Sequence, residues 1–187
     1  MPDADRDATL NALVGASVGA AGQRCMAISV AVFVGDSQVW IDDLAARMKK
    51  ARPGAWNDSG AAYGPIISQR AHQRVLDLIA AGKREGATCH LDGSDIDVAG
   101  LPEGNWVGPT LFSDVTPGMS IYREEIFGPV LCCMQVDSLD EAIATINALE
   151  VGNGTSIFTQ SGGAARKFQH EVRSEEHTSE LQSLLII

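Results

Sequence analysis

The chain has 187 residues, 45% of them hydrophobic and 20% charged, with a formal net charge of −10. That is enough apolar material for one domain with a real core, and it matches neither a disordered chain nor the basic surface that grips nucleic-acid phosphates. No apolar run reaches the length of a membrane span and the first residues lack the basic-then-apolar build of a signal peptide, so an intracellular chain without membrane or nucleic-acid partners is expected.

Residues 3–18 carry apolar groups at helical spacing behind Asp3, Asp5 and Asp7, acids that complement a helix N-terminus. A glycine-bounded turn, 19–22, follows. The stretch Gly22-Gln23-Arg24-Cys25-Met26-Ala27 then places one thiol directly before an apolar run, 28–34, that reads as a buried strand. A cysteine there can meet a substrate, and Arg24 beside it favours the reactive thiolate. A guanidinium also grips a carboxylate through two parallel hydrogen bonds. The six residues fit equally well with a small buried Cys25 and an ordinary loop Arg24.

A helix is predicted over 39–51, ended by basic residues and Pro53-Gly54, then a loop over 56–68 with Ser68 as cap of a helix over 69–85. Short strands are expected at 87–91 and 110–113, on either side of a polar loop at 92–105. An apolar strand over 130–136 includes Cys132 and Cys133, whose adjacency reads as core. Ser138 and Glu141 are spaced as a capping box for a helix to about residue 149. A strand at 156–159 and a helix at 163–171 close the series. Strands alternating with helices predict an α/β fold, a mostly parallel sheet with helices on both faces. The four cysteines fit neither metal-ligand spacing nor a disulfide framework, so no metal is expected. His72, His90, His170 and His177 are read as surface residues, and Ser29 and Thr155 as packing groups that can equally touch substrate.

Two motifs about a hundred residues apart carry a resemblance. Gly22-Gln23-Arg24-Cys25-Met26-Ala27 resembles the nucleophile motif of the aldehyde dehydrogenase superfamily, and Glu124-Glu125-Ile126-Phe127-Gly128-Pro129-Val130 resembles its second signature. Tyr63-Gly64-Pro65-Ile66-Ile67-Ser68 and Gly108-Pro109-Thr110 lie between them in the matching order. Arg24 before the thiol, Ile28-Ser29 after it and Gly152-Asn153-Gly154-Thr155-Ser156-Ile157-Phe158-Thr159 are similar to the CoA-acylating branch.

The resemblance implies a partial catalytic domain over residues 1–172. It implies NAD-dependent oxidation of methylmalonate or malonate semialdehyde to an acyl-CoA with loss of CO2, with NAD as cofactor and CoA as cosubstrate. Cys25 would be the nucleophile, Arg24 the substrate clamp, and Glu125 and Phe127 the cofactor contacts. A small-molecule semialdehyde would be the partner, in a homo-oligomer located in the cytoplasm of a bacterium or the mitochondrial matrix of a eukaryote. The family's cofactor-binding domain and oxyanion-hole amide have no counterpart here, so the polypeptide alone is expected to be inactive. Residues 173–187 are expected to be a non-native tail, because 173–183 resembles the translation of a sequencing-adapter oligonucleotide. Three other readings are open: an aldehyde dehydrogenase that uses water, a cofactor-free thiol acyltransferase or hydrolase with a histidine base beside Cys25, and a non-catalytic interaction module with Cys25 buried.

Overall fold

The two longest apolar runs lie side by side at the middle of the sheet. In the computed structural model, which describes residues 1–149, 152–173 and 184–186, β1 (Ile28–Val34) pairs in parallel with β4 (Val130–Val136), Val30 opposite Cys132 and Val34 opposite Val136. Five successive residues of β1, Val30 to Val34, are buried, so both faces of this strand are covered. The order is β2 (Thr88–Leu91), β3 (Thr110–Ser113), β4, β1, β6 (Leu184–Ile186), β5 (Gly154–Ser156), with β2 antiparallel and the other pairings parallel. The expected α/β architecture is present.

Among the described residues, six α-helices flank the sheet: α1 (Arg6–Val18), α2 (Ile41–Met48), α3 (Gln69–Arg84), α4 (Ser120–Arg123), α5 (Leu139–Asn147) and α6 (Gly162–Glu171). Their starts follow local chemistry. Ser68 Oγ accepts from Ala71 N at 3.2 Å and Ser138 Oγ from Glu141 N at 3.2 Å, while Glu141 reaches back to Asp137 N at 2.9 Å.

Three stretches differ from expectation. The chain leaves β1 through a 3₁₀ turn, Gly35–Trp40, before α2 begins. Ser37 Oγ donates to Val34 O at 2.8 Å and tightens that turn, so Val39, at the start of the expected helix, is 71% exposed while Leu44 and Met48 are buried. The strand expected at 156–159 forms instead at Gly154–Ser156. Asp3 Oδ2 accepts from Thr159 Oγ1 at 2.7 Å and from Gln160 N at 3.0 Å, drawing this stretch out of the sheet toward the start of the chain. No strand was expected in residues 173–187, yet Leu184–Ile186 pairs between β1 and β5. An aliphatic run satisfies backbone groups that those strand edges would otherwise leave unpaired. The rest of the adapter-like stretch, residues 174–183, lies outside the described residues.

One contact positions everything that follows. Gly22 has φ +65°, and a Cβ there would lie 2.0 Å from Gly128 O, so the turn before Cys25 and the loop before β4 touch backbone to backbone. Gly128 in turn leaves room for Val75 of α3, whose Cγ1 would be 2.8 Å from an added Cβ. Gly15, exposed in α1, has nothing within 4 Å of a Cβ. Gly22→Ala should therefore cost about 2–4 kcal/mol in urea unfolding. Gly15→Ala should stabilise by about 0.5–1 kcal/mol. Equal effects of the two substitutions would contradict the backbone contact.

Candidate active site

Ala20, Ala21 and Gly22 all have left-handed backbone, with φ of 53°, 57° and 65°. Alanine disfavours that region by roughly 1–2 kcal/mol, so the turn is held by its surroundings and not by its own preference. Arg24 O accepts from Ala27 N at 3.0 Å, closing a turn whose two central residues are Cys25 and Met26. Both are exposed.

Side chains from three directions tie this turn down. Gln23 Oε1 accepts from Ile67 N at 2.9 Å and its Nε2 donates to Pro65 O at 3.4 Å, joining the turn to the loop before α3. Asn153 Nδ2, from the stretch before β5, donates to Cys25 O at 3.0 Å and contacts Met26 Sδ at 3.0 Å. Arg24 Nη2 donates to Gly15 O at 3.0 Å and Ala16 O at 3.1 Å. The last turn of α1 has no basic residue of its own, so Arg24 supplies the cation and the donors that its terminal carbonyls lack. Arg24 is thus a helix cap; its Nε and Nη1 are the donors left to face another group.

Burial sorts the thiols. Cys132 and Cys133 are buried in β4, where desolvation pushes the Cys132 thiol up to about 12 and Cys133 well above its ordinary value. Cys89 is half-buried and also raised, by burial first and by Asp92 second. Cys25 alone among the four is exposed. The alternative of a small buried Cys25 does not describe this fold.

The second loop, residues 124–129, is buttressed by α3. Arg74 Nη1 donates to Ile126 O at 2.9 Å and its Nη2 is 3.4 Å from Glu124 Oε2. Phe127 has φ 56° and is 42% exposed, an aromatic ring presented outward on a backbone that costs a non-glycine residue about 1–3 kcal/mol. Glu125, two residues earlier, is half-buried. The Gly22–Gly128 contact brings this loop against the turn that carries Cys25. Arg74 and Gln23 carried no signal in the sequence, since a polar side chain on an amphipathic helix or in a turn looks the same whether or not it braces a loop.

Among the described residues, no histidine hydrogen-bonds to Cys25. His72 is half-buried with Nε2 2.9 Å from Trp106 O, which corrects its reading as a plain surface residue, while His90 is exposed as expected and has its Nε2 2.7 Å from Ser113 Oγ. Ser29 and Thr155 are half-buried in their strands.

The model of the aldehyde dehydrogenase family matches residues 1–176. The chain is 53% identical over 172 residues to a relative from Anopheles gambiae. It is also 53% identical over 174 residues to the mitochondrial acylating methylmalonate-semialdehyde dehydrogenase of Arabidopsis thaliana, covering 93% of this chain and 29% of that protein. The acylating methylmalonate-semialdehyde/malonate-semialdehyde dehydrogenase of Bos taurus is 52% identical over 172 residues, 92% of this chain and 32% of the relative. Among solved structures, the methylmalonate-semialdehyde dehydrogenase of Oceanimonas doudoroffii superposes with a TM-score of 0.90 at 40% identity, covering 100% of this chain and 37% of that one. A Sinorhizobium meliloti structure complexed with NAD also gives 0.90, at 41% identity. The chain thus spans about a third of the length of these curated relatives. With the family model matched over residues 1–176, and an exposed thiol on a strained turn in glycine contact with the second signature loop, this chain belongs to the aldehyde dehydrogenase family.

Proposed function

We propose that this chain is the Cys25-bearing part of an enzyme that oxidises methylmalonate or malonate semialdehyde with NAD and passes the acyl group to CoA through a thioester on Cys25, and that the polypeptide alone is inactive. The observation that carries this reading is the exposed Cys25 on a turn packed against the 124–129 loop, while Cys132 and Cys133 are sealed in the core. The names and titles of the relatives support the substrate class and NAD.

The second loop suits such a cofactor. Phe127 offers an exposed aromatic face, and the Glu125 carboxylate two residues away suits ribose hydroxyls as donors. NAD bound there supplies the hydride acceptor. The thiolate of Cys25 adds to the aldehyde carbon, and its own backbone N–H is the nearest donor for the oxygen that becomes negative. Loss of hydride from that carbon leaves a thioester on the sulfur. Arg24 offers the substrate carboxylate its charge and a single hydrogen bond from Nη1 while Nη2 stays on α1, so the helix end fixes the clamp. The carboxylate, β to the thioester carbonyl, then departs as CO2; the carbanion takes a proton from water, and the CoA thiolate displaces Cys25. Relatives in eukaryotes are named mitochondrial, which supports the matrix as the location in a eukaryote, with the cytoplasm as its bacterial counterpart. A homo-oligomer is the assembly this reading carries.

With semialdehyde and NAD but no CoA, the whole protein should give a burst of NADH stoichiometric with Cys25 and then stall. A steady rate indifferent to CoA would mean that water takes the acyl group. Arg74→Ala removes a charged hydrogen bond that holds the second loop and should raise KM for NAD about tenfold, with iodoacetamide alkylation of Cys25 unchanged. An unchanged KM would detach that loop from the cofactor.

A further inference from the structure

Ser113, His90 and Asp42 meet away from Cys25. Ser113 closes β3, His90 lies in the neighbouring β2, and Asp42 is in the first turn of α2. Cys25, by contrast, precedes the amino end of β1. His90 Nε2 is 2.7 Å from Ser113 Oγ, and His90 Nδ1 is 3.6 Å from Asp42 Oδ1. That is a hydroxyl, a base and an orienting carboxylate in the order that nucleophilic serine chemistry requires. The outer distance lies just beyond hydrogen-bond reach, as is common before a substrate tightens such a site.

Strand pairing shows how His90 reaches the serine. Thr88 pairs with Ser113 and Cys89 with Phe112, but Leu91 pairs with Leu111, so β2 holds one more residue than β3 between these points. A bulge of this kind re-aims a side chain, and here the imidazole lands on the Ser113 hydroxyl. The three residues line an open cavity of about 310 Å³ with Gln38, Gln135 and Asp114. Ser113 is buried apart from this opening, at 7% exposure.

Asp114 is the competing partner. Its Oδ2 is 3.1 Å from Ser113 Oγ, the longer of the hydroxyl's two contacts. Hydrogen bonds from Thr88 and then Ser113 hold the Asp114 carboxyl below its usual range, so it remains charged and its field acts on His90. Two carboxylates, Asp42 and Asp114, line this cavity and repel an anionic acyl group.

We propose that Ser113, His90 and Asp42 form a second acyl-transfer site, which hydrolyses neutral or cationic carboxylic esters without a cofactor. Ser113 turns its hydroxyl proton from Asp114 to His90 Nε2, and Oγ bonds to the ester carbonyl carbon as that proton passes to the imidazole. The Gln38 and Gln135 amides are the donors lining the cavity for the carbonyl oxygen. The ester C–O bond breaks and His90 returns the proton to the departing alcohol. Water, deprotonated by His90, then attacks the acyl-serine, releasing the acid and restoring the hydroxyl. The carboxylate-bearing semialdehyde proposed for Cys25 is excluded by charge, so the two sites take different substrates.

The test uses the protein carrying Cys25→Ala, which removes the exposed thiol from the background. A fluorophosphonate probe should add to Ser113, located by peptide mass spectrometry, and p-nitrophenyl acetate should be hydrolysed. His90→Ala in that background should lower both labelling and hydrolysis about a hundredfold. Asp42→Asn, at a side chain 93% exposed and so free of packing effects, should lower both to a smaller extent with an unchanged unfolding midpoint. The proposal is overturned if the Cys25→Ala protein shows no adduct on Ser113, or hydrolyses the ester no faster than the Cys25→Ala, Ser113→Ala double variant.

Discussion

The backbone contact between Gly22 and Gly128 is the constraint on which the rest of the site depends. A thiol one turn away from a strand has many positions open to it. Here three left-handed residues in succession aim the chain into a space that only a glycine can enter, against a carbonyl belonging to a loop a hundred residues later. Gly128 then passes the constraint on to Val75 of α3, and Arg74 of the same helix grips the loop from its polar side. The nucleophile turn, the second loop and α3 therefore form one packed unit. Strain in Ala20, Ala21 and Phe127 is offset by contacts made elsewhere in that unit, which is the circumstance in which strained backbone persists at functional sites.

Electrostatics and burial complete the selection of one sulfur from four. The sheet that seals Cys132 and Cys133 raises their thiols far above neutral pH, so neither has a useful thiolate population. The same sheet, through β1, begins two residues after the turn that leaves Cys25 in solvent. Arg24 links this turn to the end of α1. A guanidinium suits the position: a lysine ammonium is a point charge, and it lacks the planar fork that can hold two helix carbonyls with one nitrogen and still turn a donor outward.

Much of this was legible in the residues. Ser68 and the Ser138–Glu141 pair announced helix starts that the structure contains, and the apolar runs at 28–34 and 130–136 became the central strands within their expected bounds. Local chemistry acts over three or four residues, so sequence displays it directly. What was missed depends on distance. Val39 left the expected helix because Ser37 tightens the turn before it, and the strand near residue 156 shifted because Asp3 claims Thr159 from the other end of the chain. Arg24 as a helix cap, Arg74 as a loop brace and His90 beside Ser113 rest on partners 8 to 52 residues away, which no local pattern records. Leu184–Ile186 joins the sheet although no strand was expected in the tail that holds it.

The central claim is that the fold presents a single reactive sulfur. Limited treatment of the native protein with iodoacetamide, followed by peptide mass spectrometry of all four cysteines, tests it most directly. Cys25 should be carbamidomethylated first, with Cys132 and Cys133 unmodified until denaturant is added. Modification of Cys89 ahead of Cys25, or a Cys25 that reacts only after unfolding, would contradict the account.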